Sequence, residues 1–361
     1  MKPSSPADEV SAAFGSRMRA LVLVMVLLGT SGCMFSAKAR QARHEEQVRQ
    51  LQLEQAADRN RDSKADIAYR QKQTQHEARV RRLQQELAAR GDPDSLAASA
   101  LFGGVLSGFS SGASLDVAAR AVAAAPGRAD LVFLHLQLCA SAPGCDAAPL
   151  EARLQQLDPE NGTGWIYLLV RADRANDGVQ WRRAREALAR SKRVDLYLHQ
   201  IVSRLAAAAA GKAGFDFGEA ALELLNIEAA FAPTFDPVSK ACSARDVQQP
   251  EVLAQCREIS AAFRHADTAL FEAYGTTLAL QLWPQGSPEA LAVGAERRAL
   301  RYRVDLMVRQ GAKINSPQAR KTLATLITRH PTEQTAYRAL FLDLGLNPDP
   351  PPGWTEGAAG S

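Results

Sequence analysis

From Leu115 onward, apolar residues recur three and four positions apart, the spacing that gathers them on one face of a helix. Val117, Ala118, Val122 and Ala123 make one such face, and Leu131, Leu134, Leu138 and Cys139 the next. Leu150, Leu154 and Leu157 follow, then Trp165, Leu168, Leu169 and Ala172. The turns between them are short: Ala125-Pro126-Gly127, Ala142-Pro143-Gly144, Asp158-Pro159-Glu160-Asn161 and Ala175-Asn176-Asp177-Gly178. Helices joined this tightly pack as antiparallel neighbours. The same reading predicts helices over 195–209, 219–231, 250–263, 268–282, 288–310 and 316–329. Residues 211–218 break the run, and a loop is expected after Cys242.

Two earlier stretches follow other rules. Residues 36–90 contain no proline or glycine and are mostly charged, Gln or Ala, all strong helix formers. Their apolar positions are sparse. Val80, Leu83 and Leu87 fit a heptad, and Val48 with Leu51 start another, but no seam is sustained as a coiled coil requires. This reads as a long polar helix that spaces the body from whatever precedes it. Residues 20–28 are the opposite, an unbroken apolar run after Arg17 and Arg19. A membrane span needs about 20 such residues, so the run matches the apolar core of a secretory signal peptide instead.

Composition narrows the fold. Hydrophobic residues make up 46% of the chain but aromatic ones only 6%, with alanine frequent, a profile of helices packed through small side chains. The formal net charge of +4 over 361 residues gives no reason to expect a nucleic-acid partner.

The apolar run ends in Gly29, Thr30, Ser31 and Gly32, followed by Cys33. This resembles the lipobox of bacterial lipoproteins, with Thr30 where that family prefers leucine. The resemblance implies that residues 1–32 are removed and that Cys33 is acylated, making the membrane a partner through its lipid. Met34 stands where the family's inner-membrane retention signal has aspartate, which implies the periplasmic leaflet of the outer membrane. Plain secretion with an ordinary thiol at Cys33 is the alternative. The other four cysteines, Cys139, Cys145, Cys242 and Cys256, form two local pairs. In an exported chain an even count reads as disulfides, and neither spacing, even with His135 nearby, is a zinc pattern.

Residues 157–191 resemble a tetratricopeptide repeat. Pro159 ends one unit, Trp165 and Leu168 sit on helix A, and Ala184, Ala187 and Leu188 on helix B. Pro126 precedes Pro159 by 33 residues, against a family period of about 34. His330-Pro331, followed by Tyr337, Leu340 and Leu344, is a third echo, and the period is lost between them.

The expected fold is therefore all-α, a long N-terminal polar helix followed by a tetratricopeptide-like helical-repeat body. The expected divisions are a signal peptide at 1–32, anchor and stalk at 33–92, the repeat domain at 93–346 and a disordered tail at 347–361. Such arrays bind a protein or peptide on a concave face, and Trp165, Tyr167 and Trp181 are the candidate contacts. Catalytic chemistry has one candidate, Ser110 in the G-x-S-x-G match at 108–112, which needs a strand before it and a helix after it. The six histidines show no metal-binding spacing, and no cofactor motif is present. The leading reading is an anchored periplasmic protein that binds or scaffolds another envelope protein. The alternatives are a secreted serine hydrolase and a structural protein with no pocket.

Overall fold

The computed structural model describes residues 49, 64–107, 111–229 and 234–355. The apolar run, Cys33, most of the stalk before residue 64, Ser110 and residues 356–361 lie outside the described residues. Every regular element among those described is a helix, as the spacing of apolar residues predicts.

The helices are α1 (Lys64–Ala88), α2 (Pro93–Ser107), α3 (Gly112–Ala124), α4 (Ala129–Ser141), α5 (Ala148–Leu157), α6 (Thr163–Ala175), α7 (Gly178–Ala189) and α8 (Leu198–Ala209). After them come α9 (Phe217–Ala229), α10 (Asp236–Ala241), α11 (Pro250–Arg264), α12 (Ala269–Leu282) and α13 (Pro288–Arg309). The short α14 (Gly311–Ile314), α15 (Pro317–Ile327) and α16 (Glu333–Asp343) complete the set.

Local chemistry sets the boundaries. At the end of α6, Asn176 takes the left-handed conformation at φ 52°, and its N–H returns to the carbonyls of Ala172 and Asp173. Asp177 then caps α7, its side chain accepting from the N–H groups of Val179 and Gln180. Ser111, Thr268, Ser287, Ser316 and Thr332 cap α3, α12, α13, α15 and α16 in the same way.

The chain divides into two compact units, residues 1–76 and 77–361. In the first, residues 67–75 of α1 are exposed, including Ile67 and Tyr69, which are about half-exposed. In the second, the remainder of α1 is part of the body. Val80, Leu83 and Leu87 are the stripe that resembled a heptad, and all three are buried in the main core. Arg79 lies 3.9 Å from the centre of the Phe215 ring and pairs with Glu219 at 2.7 Å. Ser99 Oγ of α2 donates to the Gln84 carbonyl at 3.0 Å. The body thus begins about fifteen residues earlier than the expected boundary at 92/93, because these side chains supply part of its core.

From α2 to α7 the helices pack in chain order, each on the next. Then the order breaks. Helix α8 returns to lie on α2 and α4, α9 packs on α8 and α2, and α10 packs on α6. Helix α11 closes on α7 and on α12, with α13 beyond, while α15 packs on α8, α9 and α16. The crossing of α11 and α12 is close enough to require a glycine. A Cβ at Gly275 would stand 2.6 Å from the Arg264 nitrogen and 2.7 Å from the Phe263 carbonyl carbon.

Two segments depart from the sequence reading. The helix expected from residue 195 begins at Leu198, because the residues before it are bonded elsewhere. Lys192 N donates to Glu160 O, Gly162 N to Arg193 O and Val194 N to Ala262 O. Tyr197 turns the chain into the helix at φ 57°. The tail also packs as far as residue 355, where disorder was expected from 347. Trp354 sets its edge on the Tyr302 ring at 5.4 Å, and Asp349 pairs with Arg338.

Candidate functional site

One side of the ordered stack α2–α7 is covered by later helices of the chain itself. Helices α2, α4 and α6 are alternate members of the ordered stack, and α8, α9 and α10 lie against them. Phe133 of α4 meets Tyr197 at 5.5 Å and Tyr167 of α6 at 6.2 Å, ring centre to ring centre. Lys240 of α10 reaches Asp173 of α6 at 2.7 Å. Phe102 of α2 meets Phe215, just before α9, at 6.3 Å. Helix α8 suits an interior position. It buries Ile201, Val202, Leu205, Ala206 and Ala209, and its alanines let neighbours approach closely.

Two buried acids sit in this interior. Gln137 of α4 donates from Nε2 to Glu228 Oε2 of α9 at 3.2 Å. The other oxygens of both side chains, Gln137 Oε1 and Glu228 Oε1, have no hydrogen-bond partner among the described residues. Burial pushes the Glu228 carboxyl up to about 7, opposed by the Gln137 bond. The Tyr167 phenol is pushed up as well, by burial and then by Glu228.

The second acid, Asp267, is a junction for three segments. Its two carboxyl oxygens accept from Leu196 N and Leu198 N, each at 2.9 Å, and its carbonyl accepts from Glu333 N at 2.7 Å. Asn161 brackets Asp195 beside it, accepting from Asp195 N at 2.9 Å and donating to Asp195 O at 2.8 Å. Asp158 accepts from Tyr197 OH at 2.8 Å and from Arg193 at 2.7 Å. Burial, and then the neighbouring Asp195 carboxyl, hold Asp267 well above the usual carboxylate range. Both Asp267 carboxyl oxygens are taken by the chain's own backbone, which makes this residue a fold junction.

The candidate residues read from sequence fall in different places. Tyr167 is only 7% exposed and offers no surface to a partner. Trp165 and Trp181 are half-buried against the core, with the Arg185 guanidinium 5.4 Å from the Trp181 ring centre. Helix α2 occupies 93–107, where a nucleophile elbow at Ser110 would require a strand. Cys139 is bonded to Cys145 and Cys242 to Cys256, with Cα atoms 5.3 and 5.6 Å apart, within the usual range. His199 Nδ1 lies 2.8 Å from the Ile327 carbonyl, whereas His135 Nδ1 is buried with no partner among the described residues. Burial lowers the His135 pKa. Among the described residues, no group of three His, Cys, Asp or Glu side chains converges as metal ligands.

On the outside, a cleft of about 430 Å³ opens between α12, α13 and the tail, lined by Leu280, Arg297, Arg298, Arg301 and Trp354. Sequence reading missed it because Trp354 joins Arg297 only through the fold. The cluster Glu296-Arg297-Arg298, with Arg301 one turn on, was the available signal. No family model, curated protein or solved structure matches the chain.

Proposed function

We propose that the chain is an exported lipoprotein of the bacterial envelope, held at the membrane through Cys33, whose helical body docks another envelope protein. The observation that carries this reading is the pair of bonds Cys139–Cys145 and Cys242–Cys256. Structural disulfides persist in oxidising compartments, which is where a lipobox leader delivers a chain. The polar stretch after Cys33 then spaces the body from the bilayer. With the α2–α4–α6 side of the stack covered by α8–α10, the docking surface is assigned to the outside of the body.

Metabolic labelling with an alkyne fatty acid, followed by membrane fractionation, tests the anchor. The wild type is expected to carry label and to sediment with membranes, and Cys33→Ser to lose label. An unlabelled wild type, or a Cys33→Ser chain that fractionates unchanged, contradicts the reading. Photo-crosslinking of the anchored chain in cells tests the docking, and the absence of any crosslinked envelope protein contradicts it.

A further inference from the structure

The cleft beside α13 has the construction of a recognition site. Gly294, Arg297, Arg298 and Arg301 follow the i, i+3, i+4, i+7 spacing of one helical stripe. Gly294 leaves open space where a Cβ would stand, so the stripe is recessed at that point. Leu280 of α12 and Trp354 also line the cleft. Trp354 is fixed rather than swinging free: its ring meets Tyr302 edge-on, and the Asp349–Arg338 pair at 3.0 Å holds the segment leading to it.

Charge is left over here. The acids of the middle of α13 are already taken, Glu296 by Arg264 at 2.8 Å and Asp305 by Arg309 at 2.9 Å. Arg297 and Arg298 have no carboxylate partner among the described residues. Guanidinium groups match carboxylates in shape as well as charge and bind them in two-point fashion. Arginine and tryptophan are also the residue types that most often dominate binding energy at protein interfaces.

We propose that this cleft docks an acidic peptide segment of a partner protein. Arg297 and Arg298 hold its carboxylate, and the neighbouring apolar side chain packs on Trp354 and Leu280. The inference rests on the docking reading above and names the chemistry of the partner. A recess of this volume fits one or two side chains, whereas a bilayer presents headgroups to a broad face.

The probe is a set of labelled pentapeptides, each pairing two acidic residues with one aromatic or aliphatic residue, alongside counterparts carrying Asn and Gln. Anisotropy is read on the full-length Cys33→Ser chain, which removes the lipid from the measurement. Acidic peptides are expected to bind, and their amide counterparts to bind about tenfold more weakly, the loss of one charge-assisted contact. Arg297→Gln, Arg298→Gln and Trp354→Ala should each lower affinity by about tenfold, and Arg298→Lys by less. Circular dichroism melting checks that the arginine variants remain folded. The proposal is overturned if no acidic peptide binds better than its amide counterpart, or if the arginine variants bind as the wild type does. It is also overturned if those variants lose binding only to phosphatidylglycerol–phosphatidylcholine vesicles, which would assign the cleft to lipid. Peptide failure with envelope crosslinks intact removes the cleft and leaves the docking reading standing; absence of crosslinks removes the reading itself.

Discussion

Glu228 on α9 and Gln137 on α4 meet at 3.2 Å in the interior of the body, ninety-one residues apart in the chain. The contact ties a helix from the second half of the protein to one from the first. It also leaves one oxygen on each side chain without a hydrogen-bond partner among the described residues.

Glu228 therefore makes stability depend on pH. Its folded pKa of about 7 stands above the ordinary glutamate value of 4.5, so between those values the folded state binds more protons than the unfolded one. Stability falls as pH rises across that window and is level above it, at a total cost on the order of 3 kcal/mol. Glu228→Gln should raise the denaturation midpoint at pH 8 and change it little near pH 4.5. Equal midpoints for the two proteins at pH 8 would contradict this.

Asp267 is the expected weak point of the junction. Asp267→Ala leaves the N–H groups of Leu196 and Leu198 buried without acceptors, each costing about 1–3 kcal/mol. Asp267→Asn keeps one acceptor and should cost less. Urea titration of the two variants checks the order, and an alanine variant as stable as the wild type would refute the role.

How much of this was legible in the sequence depends on the range of the interactions. The α6–α7 hairpin was readable because Asn176, Asp177 and the apolar spacing all act within a few residues. The two disulfides were readable because each joins a cysteine to the nearest other cysteine in the chain. The return of α8 was not, because an Ala-rich amphipathic helix looks alike at the edge of a stack and in its middle. The burial of Tyr167 was not legible, since Phe133, whose ring it meets, comes from another part of the chain. Val80, Leu83 and Leu87 misled in the reverse direction, forming a short heptad whose partner is the body rather than a second helix. The Arg297–Trp354 cleft, like the Asp267 junction, joins residues dozens of positions apart that no local spacing connects.

Gly275 can be tested alone. Alanine there forces α11 and α12 apart against backbone that has no room to move, so Gly275→Ala should destabilise by about 1–3 kcal/mol although alanine is the better helix former. Gly294→Ala, in open space, is the control and should be neutral or slightly stabilising. Thermal melts that rank the two the other way would show that the crossing is looser than described.

The bridges should be separable. Replacing Cys242 and Cys256 by alanine opens a loop of about 15 residues and should cost roughly 3 kcal/mol on the chain-entropy account. Non-reducing peptide maps of the exported protein should recover Cys139 with Cys145 and Cys242 with Cys256. Cross-pairing between the two sets, or four free thiols, would contradict the fold in both regions.

The central claim is that the chain covers the α2–α4–α6 side of its own stack, with α8 packed between α2, α4 and α15. Native-state hydrogen exchange of the full-length protein measures this directly. If α8 is interior, the amides of Ile201, Val202, Leu205 and Ala206 exchange as slowly as those of α4 and α6, and they open only with the body as a whole. Exchange of α8 at the rate of the exposed 67–75 segment, while α4 and α6 stay protected, would mean that α8 does not cover the stack and that the account is wrong.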